Sequence, residues 1–109
     1  MKLYKQYLAE RDGATVHYNN YGFITYSLIP GGECYFSEIF VVPEKRNTRA
    51  AWHFWIHVQR AAALAKCSYI TGSIDTNTIN WKLSESLMLR LGFVVERTFG
   101  SMRYFRKNL

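Results

Sequence analysis

The sequence predicts an α+β domain in which helices pack against one mixed β-sheet. Within the first 42 of its 109 residues, three segments rich in β-forming residues follow one another with only turn residues between them. This spacing predicts an antiparallel meander. A long segment with helical periodicity then separates the third strand from a fourth, which predicts a right-handed crossover and a parallel strand pair. The meander is thus expected to continue as β-α-β-α-β-β.

Turn residues separate the elements of the first half. A short helix is predicted over residues 2–11 because its apolar residues share one side, and Gly13 lies in the turn after it. Gly22 marks the turn between the first two strands, and Gly31 lies in the turn between the second and the third. The predicted strands of the meander are residues 14–18, 23–29 and 35–42.

The helix after the meander is predicted over residues 48–66. The face expected to pack on the sheet consists of Ala51, Phe54, Trp55, Val58, Ala62 and Ala65. A second apolar stripe of Trp52, Ile56 and Ala63 predicts a contact surface for a second copy or another protein. The remaining predictions are strands at 68–74, 93–99 and 102–106 and a helix at 81–91 that buries Leu83, Leu87 and Leu91.

Length and composition restrict the classes of protein that are possible. A chain of this length predicts one domain over residues 1–109, and an aromatic content of 17% supplies a core without disulfides. Cys34 and Cys67 are expected to be reduced and largely buried thiols of a cytoplasmic protein. No apolar run approaches membrane-spanning length. The net charge of +6 fits a nucleotide-like ligand, a nucleic acid or an acidic protein.

The most informative segment is the junction between the third strand and the long helix. The apolar strand ends at Pro43, and the basic turn EKRNTR then leads directly into the helix. The first N–H groups of a helix have no partners within it, and the helix dipole adds partial positive charge there. The junction therefore predicts an anion site that suits phosphate.

Two motifs resemble those of the GNAT superfamily of acetyl-CoA-dependent N-acetyltransferases. EIFVVPEKRNTRAAWHF resembles the strand–loop–helix signature of that family, and LMLRLGFVVERTF resembles its helix–LGF–strand close. The resemblance covers roughly residues 14 to 109 and includes features of small phage-type members. It implies a truncated GNAT-like fold that lacks most of the usual N-terminal strand-helix-helix portion. It also implies acetyl-CoA as the cofactor and an amine as the acceptor.

The resemblance also implies which residues bind the cofactor. The loop that holds the pyrophosphate in the family matches Arg46, Asn47, Thr48, Arg49, Ala50 and Ala51. The strand edge along which pantetheine lies matches Ile39, Phe40 and Val41, and Asn80 lies one place from an asparagine often found in the family. Two departures are clear, because Arg49 replaces a glycine and Met88 replaces the tyrosine that protonates the leaving thiolate in many members.

Amine acetylation needs a base, a donor for the thioester oxygen and an acid for the sulfur. Glu38 is the candidate base. The equal alternative is that Glu38 is an exposed strand carboxylate, or the partner of a nearby arginine, without a catalytic role. Tyr104 and Tyr35 are the candidate acids, and a backbone N–H near Phe40 or Val41 is the candidate oxyanion donor.

Other readings of the sequence remain open beside the enzyme. The principal alternative is a non-catalytic protein of GNAT shape, such as a phage component located in the host cytoplasm or the virion. A nucleic-acid binder rests on charge alone and is not favoured. His53 and His57 lie four residues apart, but the sequence offers no third ligand and predicts no metal site.

Overall fold

The computed structural model describes residues 2–46 and 48–109. Its helices span Lys2–Asp12 (α1), Ala50–Leu64 (α2) and Trp81–Arg90 (α3). Its strands span Thr15–Asn19 (β1), Gly22–Ile29 (β2), Glu33–Val41 (β3), Tyr69–Asp75 (β4), Val94–Phe99 (β5) and Met102–Asn108 (β6). Every predicted element is confirmed, with ends that move by one or two residues. A short 3₁₀ turn at Pro43–Lys45 follows β3.

The six strands form one mixed sheet in the order β1-β2-β3-β4-β6-β5. Strands β1, β2 and β3 are the predicted antiparallel meander. Strand β4 pairs in parallel with β3, as expected for a crossover through α2, and β6 then pairs antiparallel with β4. The crossover places the N-terminus of α2 beyond the C-terminal end of β3.

Helices α2 and α3 cover one face of the sheet with the main core. The buried members of this core are Ile24, Tyr26, Cys34, Phe54, Trp55, Val58, Ala62, Ile70, Ile74, Met88, Leu91, Phe93 and Phe105. Helix α1 covers the opposite face only over β1 and β2, where Leu8 packs with Ala14 and Val16. The faces follow from strand alternation, because His17 contacts α2 while its neighbour Val16 packs under α1.

The predicted helix faces need two corrections. Ala65 caps the C-terminus of α2 and is exposed, because the helix ends before its side chain reaches the sheet. Leu83 is 69% exposed, whereas Met88 and Leu91 are the residues that α3 and its C-terminal cap bury. The predicted buried face of α3, with residues spaced by four, therefore began one turn too early, at a residue that faces solvent. Trp52 lies on the outward side of α2 and is 47% exposed, but its role as a contact surface stays a prediction.

Helix α3 ends in a left-handed residue at Gly92, with φ of 96°. The Phe93 N–H donates to the Met88 carbonyl, and the Gly92 N–H donates to the Leu89 carbonyl. These two hydrogen bonds close the last turn of the helix, and they require a residue with positive φ at this position. The RLGF sequence thereby turns the chain from α3 into β5.

Both cysteines are free thiols. Cys34 is fully buried, and burial raises the pKa of its thiol to about 12. Cys67 is partly buried, and the reduced state expected of the two thiols stays a prediction. Among the described residues, no helix is long and apolar enough to cross a bilayer.

Candidate functional site

The parallel strands β3 and β4 pair only over their first halves. Their register runs from Glu33 with Tyr69 to Phe36 with Gly72, and beyond this point the strands part. A β-bulge lies at the same place, because Thr25 of β2 opposes Glu38 while Tyr26 opposes Phe36, which leaves Ser37 as the extra residue. A bulge bends its strand and increases the local twist. The bend therefore opens a wedge between the C-terminal halves of the two strands.

The wedge contains a cavity of about 370 Å³. Its narrow end is closed by close packing, since a Cβ built on Gly72 would lie 2.9 Å from Met88 Cε and 3.1 Å from Phe36 Cδ1. The wall combines apolar side chains of the core with a few polar ones. The polar residues of the wall are Ser37, Glu38, Ser73, Asp75, Thr78 and Ser84. Helix α2 contributes Ala51 and Trp55.

Main-chain groups of β3 face into the wedge at alternate residues. The Val42 N–H donates to the Tyr21 carbonyl, and the Phe40 carbonyl lies against Gly22, so both of these residues turn their backbone toward β2. Alternation then turns the backbone of Ile39 and Val41 toward the wedge. Of the three edge residues expected from the sequence, Ile39 and Val41 therefore direct their main-chain groups toward the wedge, where the Val41 carbonyl accepts from Arg46 Nε. Phe40 instead packs its ring against Phe23.

The N-terminus of α2 lies at the open end of the wedge. The Thr48 hydroxyl accepts from the Ala50 N–H at 3.2 Å, so one amide of the predicted cradle is occupied from within the loop. The N–H groups of Ala51 and Trp52 have no partner among residues 2–46 and 48–109. Ala51 also lines the cavity. Among the described residues, the Trp52 amide and the positive end of the helix dipole are therefore available to an anion at the mouth.

The basic side chains of the loop adopt different positions. Arg46 Nε donates to the Val41 carbonyl at 2.9 Å, which places its guanidinium across the mouth of the wedge. Lys45 Nζ lies 4.9 Å from the centre of the Tyr21 ring, on the side of β2. Arg49 is the N-cap residue of α2 and makes no side-chain capping bond. Asn47, which the sequence assigned to the cradle, lies outside the described residues.

Asn80 lies at the start of α3 in a left-handed conformation, with φ of 66°. Its carbonyl accepts from the N–H groups of Leu83 and Ser84, and its side chain does not cap the helix. Among the described residues of the cavity wall, Thr78 and Ser84 flank this position but Asn80 is absent. Its expected contact with the cofactor stays a prediction.

Glu38 lies between two cavities. On the α1 side of the sheet, a second cavity of about 300 Å³ is lined by Ser37 and Glu38 together with residues of α1, β2 and β3. The same two residues line the wedge, so the bulge borders both cavities. The Glu38 carboxylate accepts a hydrogen bond from the Tyr4 hydroxyl at 3.0 Å. Burial, followed by this carboxylate, raises the pKa of Tyr4.

Of the two candidate acids, Tyr35 lines the cavity on the α1 side of the sheet and is connected to the wedge through Ser73. Its hydroxyl lies 3.0 Å from the Ser73 hydroxyl, and Ser73 lines the wedge just beyond the last paired residues. Tyr104 opposes Ser73 on β6, but its ring is covered by the Arg97 guanidinium at 4.3 Å. Tyr104 is not among the described residues of either cavity wall.

Two of the three histidines, His17 and His57, form a stacked pair that the sequence analysis did not predict. The rings of His17 and His57 stack at 3.7 Å with an interplanar angle of 7°, and Tyr26 Oη lies 3.3 Å from His57 Nε2. Burial lowers the pKa of both histidines, and Lys5 acts in the same direction on His17. Within the part of the chain that the structure describes, no group of three potential ligands is placed to hold a metal ion.

The sequence analysis also missed several residues of the wedge wall, including Ser37, Ser73 and Asp75. It assigned Trp55 to the core face of α2 but not to this wall. The strict alternation of SYITGSID carried a signal for two of them, because it places Ser73 and Asp75 on the same face of β4. No local signal marks the bulge at Ser37, since it arises from pairing with β2.

Comparison with known proteins identifies the fold. No protein-family model and no curated protein matches the sequence. Among solved structures, the chain is similar to the PaiA N-acetyltransferase from Thermoplasma acidophilum in complex with coenzyme A, with a TM-score of 0.79 and 14% identity over 99% of this chain and 69% of that one.

Two further solved structures give the same result. An acetyltransferase of the GNAT family from Staphylococcus aureus has a TM-score of 0.72 and 16% identity over 92% of this chain and 70% of that one. An acetyltransferase from Streptococcus agalactiae has a TM-score of 0.68 and 18% identity, and this chain covers 60% of its length. The chain therefore has the GNAT fold, and that expectation is confirmed. The phage-type resemblance is not tested by these similarities.

Proposed function

We propose that this protein binds acetyl-CoA in the wedge and transfers the acetyl group to an amine that enters from the α1 side of the sheet. The observation that carries the proposal is the combination of a wedge between two parting parallel strands with a helix N-terminus at its mouth, where the Trp52 N–H has no partner among the described residues. A solved structure with the same fold contains coenzyme A, which supports the choice of ligand.

The wedge suits the parts of this ligand in order. The Trp52 N–H and the Arg46 guanidinium suit a diphosphate at the mouth, because helix amides and arginine both bind phosphate oxygens. The main-chain groups of Ile39 and the Val41 N–H, which are directed toward the wedge, suit the amides of a pantetheine arm. The narrow end near Phe36 then receives the thioester.

Acetyl-CoA supplies a thioester whose carbonyl carbon forms a bond to the amine nitrogen as its bond to sulfur breaks. Glu38 is the proposed base that accepts a proton from the attacking amine, because Glu38 borders both cavities. The wedge-facing N–H of Ile39 or Val41 is placed to stabilise negative charge on the thioester oxygen. Tyr35, hydrogen-bonded to Ser73, is the proposed proton donor to the sulfur, in preference to Tyr104.

The first experiment separates ligand binding from catalysis. Acetyl-CoA at 100 times its dissociation constant should raise the free energy of unfolding by about 2.7 kcal/mol. Release of free CoA is then followed by mass spectrometry with a panel of small amines, peptide N-termini and lysine peptides. Absence of both stabilisation and calorimetric heat at millimolar acetyl-CoA would refute the proposal.

The alternative is a protein of the same fold that has lost the chemistry. The apolar side chain of Met88 at the narrow end favours it, since a thioether cannot donate a proton. Tight binding of acetyl-CoA without acetylation of any acceptor, and without an effect of Glu38→Gln on binding, would support this alternative over the enzyme.

A further inference from the structure

The carboxylate of Glu38 is held by a side chain of α1. Glu38 Oε1 accepts a hydrogen bond from the Tyr4 hydroxyl at 3.0 Å, across 34 positions of the chain. Within residues 2–46 and 48–109, this is the one hydrogen bond that the carboxylate makes. One carboxylate oxygen is therefore held by α1, and the other remains available for a proton.

The packing of α1 on the sheet fixes the Tyr4 ring. Tyr4 and Leu8 lie one helical turn apart, and Leu8 is buried against Ala14 and Val16. The Tyr4 ring packs against the same cluster and meets the Phe23 ring edge to face, at 5.8 Å between centroids. The hydroxyl that bonds to the carboxylate is thus carried by a ring anchored on both α1 and β2.

The backbone that carries Glu38 is fixed separately, by the bulge. The Ser37 hydroxyl lies 3.0 Å from the Thr25 hydroxyl, and 3.3 Å from the Thr25 carbonyl to which it donates. Thr25 is fully buried and opposes Glu38 in the register. The bulge therefore determines where the Glu38 side chain leaves the sheet, and the bond from Tyr4 determines where its carboxylate lies.

The Tyr4 hydroxyl is suited to hold a base but not to replace it. Burial, followed by the hydrogen bond to Glu38, raises the pKa of Tyr4. The phenol therefore keeps its proton at neutral pH and stays a hydrogen-bond donor. A protonated phenol does not take a proton from an amine, so its contribution to acetyl transfer is to orient the carboxylate.

We propose that Tyr4 is a positioning residue that holds the Glu38 carboxylate in one orientation, so that Oε2 accepts the proton of the attacking amine. The inference rests on the proposed function and extends it to α1. The proton leaves the amine nitrogen as this nitrogen bonds to the thioester carbon, and Oε1 keeps its bond to Tyr4. A base must lie within hydrogen-bond reach of the proton that it removes, so a carboxylate free to rotate is productive for only part of the time.

The kinetic test compares two tyrosines of α1. Tyr4→Phe should lower kcat by about 10- to 100-fold, the scale of effect when a catalytic group is misplaced. The affinity for acetyl-CoA should stay the same, because Tyr4 is not among the described residues of the wedge wall. Tyr7→Phe is the matched control, since Tyr7 is 51% exposed and its hydroxyl bonds to Arg11. Full kcat in Tyr4→Phe would overturn the inference and leave the acyl-CoA site in place.

A double-mutant cycle separates positioning from a general effect on structure. In the Glu38→Gln background there is no base to orient, so adding Tyr4→Phe should not lower kcat further. A purely structural role would make the two losses multiply, and that result would also overturn the inference. Absence of acetylation by the unmodified chain with every amine tested would overturn the proposed function, and the inference with it.

The contact between the two side chains is measured without turnover. In a sample labelled with ¹³C at the tyrosine Cζ atoms, the Tyr4 signal follows ionisation of its phenol. Glu38→Gln should lower the pKa of Tyr4, because a neutral amide replaces the carboxylate that raises it. A Tyr4 pKa that is equal in the two chains would overturn the inference, even if Tyr4→Phe folds poorly.

Discussion

The hydroxyl oxygens of Tyr35 and Ser73 lie 3.0 Å apart and join β3 to β4 just beyond the last paired residues of the two strands. Tyr35 opposes Thr71 in the register, so its side chain reaches forward by two residues along β4. This bridge spans the narrow end of the wedge at the point where the proposed chemistry occurs.

The bridge leads to a prediction about catalysis. Tyr35→Phe removes the hydroxyl and should lower kcat by about 10²-fold or more, with little change in the KM for acetyl-CoA, because general acid catalysis contributes on this scale. Steady-state kinetics with the best acceptor measures the effect. Tyr69 lies on β4, on the same face of the sheet as Ser73, so Tyr69→Phe is the control that should keep full activity. Equal kcat values for the Tyr35 and Tyr69 variants would remove Tyr35 from the mechanism.

Arg46 gives a prediction about binding. Arg46→Glu reverses the charge at the mouth of the wedge and should weaken CoA binding by about 10- to 100-fold, the range for a hydrogen bond to a charged group. Calorimetry measures it. Arg60→Glu, at an exposed position in the second half of α2, is the matched control.

A second ligand sharpens the Arg46 experiment. Acetyl-pantetheine lacks the diphosphate, so its affinity should be the same for the unmodified chain and for Arg46→Glu. If both ligands lose affinity equally, the arginine stabilises the wedge and does not bind the diphosphate.

The stacked histidines predict a dependence of stability on pH. In the folded chain the pKa values of His17 and His57 lie below the unfolded value of about 6.5. Well above this value, neither the folded nor the unfolded chain binds these protons, and the free energy of unfolding does not depend on them. As the pH falls below about 6.5, the unfolded chain binds protons that the folded chain does not, so the free energy of unfolding decreases until the folded pKa values are passed.

Urea unfolding between pH 7.5 and 5 measures this dependence. His57→Gln should flatten it, since a glutamine cannot be protonated there. His53→Gln, an exposed change one turn earlier on α2, should preserve it. A dependence that survives in His57→Gln would show that other groups cause it.

Thr48 gives a prediction about the stability of the loop before α2. Its hydroxyl donates to the Lys45 carbonyl and accepts from the Ala50 N–H. Thr48→Ala should lower the free energy of unfolding by about 1 kcal/mol, the usual net contribution of an intramolecular hydrogen bond. For a chain of this size, that corresponds to a fall of about 4–8 °C in Tm.

Thr48→Ser keeps the hydroxyl and is the matched control for the loop. It should restore most of the lost stability in thermal unfolding followed by circular dichroism. An equal loss of Tm in the serine and alanine variants would assign the effect to the lost methyl group.

Sequence reasoning succeeded where a structure is specified by neighbouring residues. The junction from β3 to α2 could be predicted because an apolar run, Pro43 and a 3.6-residue periodicity follow one another within about 25 residues. The left-handed Gly92 that follows the C-cap of α3 is a local feature of the same kind. These signals act through local backbone preferences, which are legible without knowledge of the partner elements.

The same reasoning was less accurate for side chains. It chose Leu83 for the buried face of α3, but the angle at which a helix meets the sheet decides which residue of each turn is buried. It also placed Phe40 at the strand edge together with Ile39 and Val41; strand pairing turns the Phe40 backbone toward β2, and its contact with the cofactor stays a prediction. Both cases concern orientation relative to an element distant in the sequence.

By itself the amino-acid order determined the strands, the helices, their succession and the basic turn before α2, because hydrophobic period and turn residues act over short distances. Only the tertiary structure decided where β3 parts from β4, how Glu38 comes to border two cavities, and that the Trp55 indole N–H is buried with no acceptor among the described residues. Those features depend on the twist of a bulged strand and on contacts between residues far apart in the chain, and such contacts exist only once the sheet has formed.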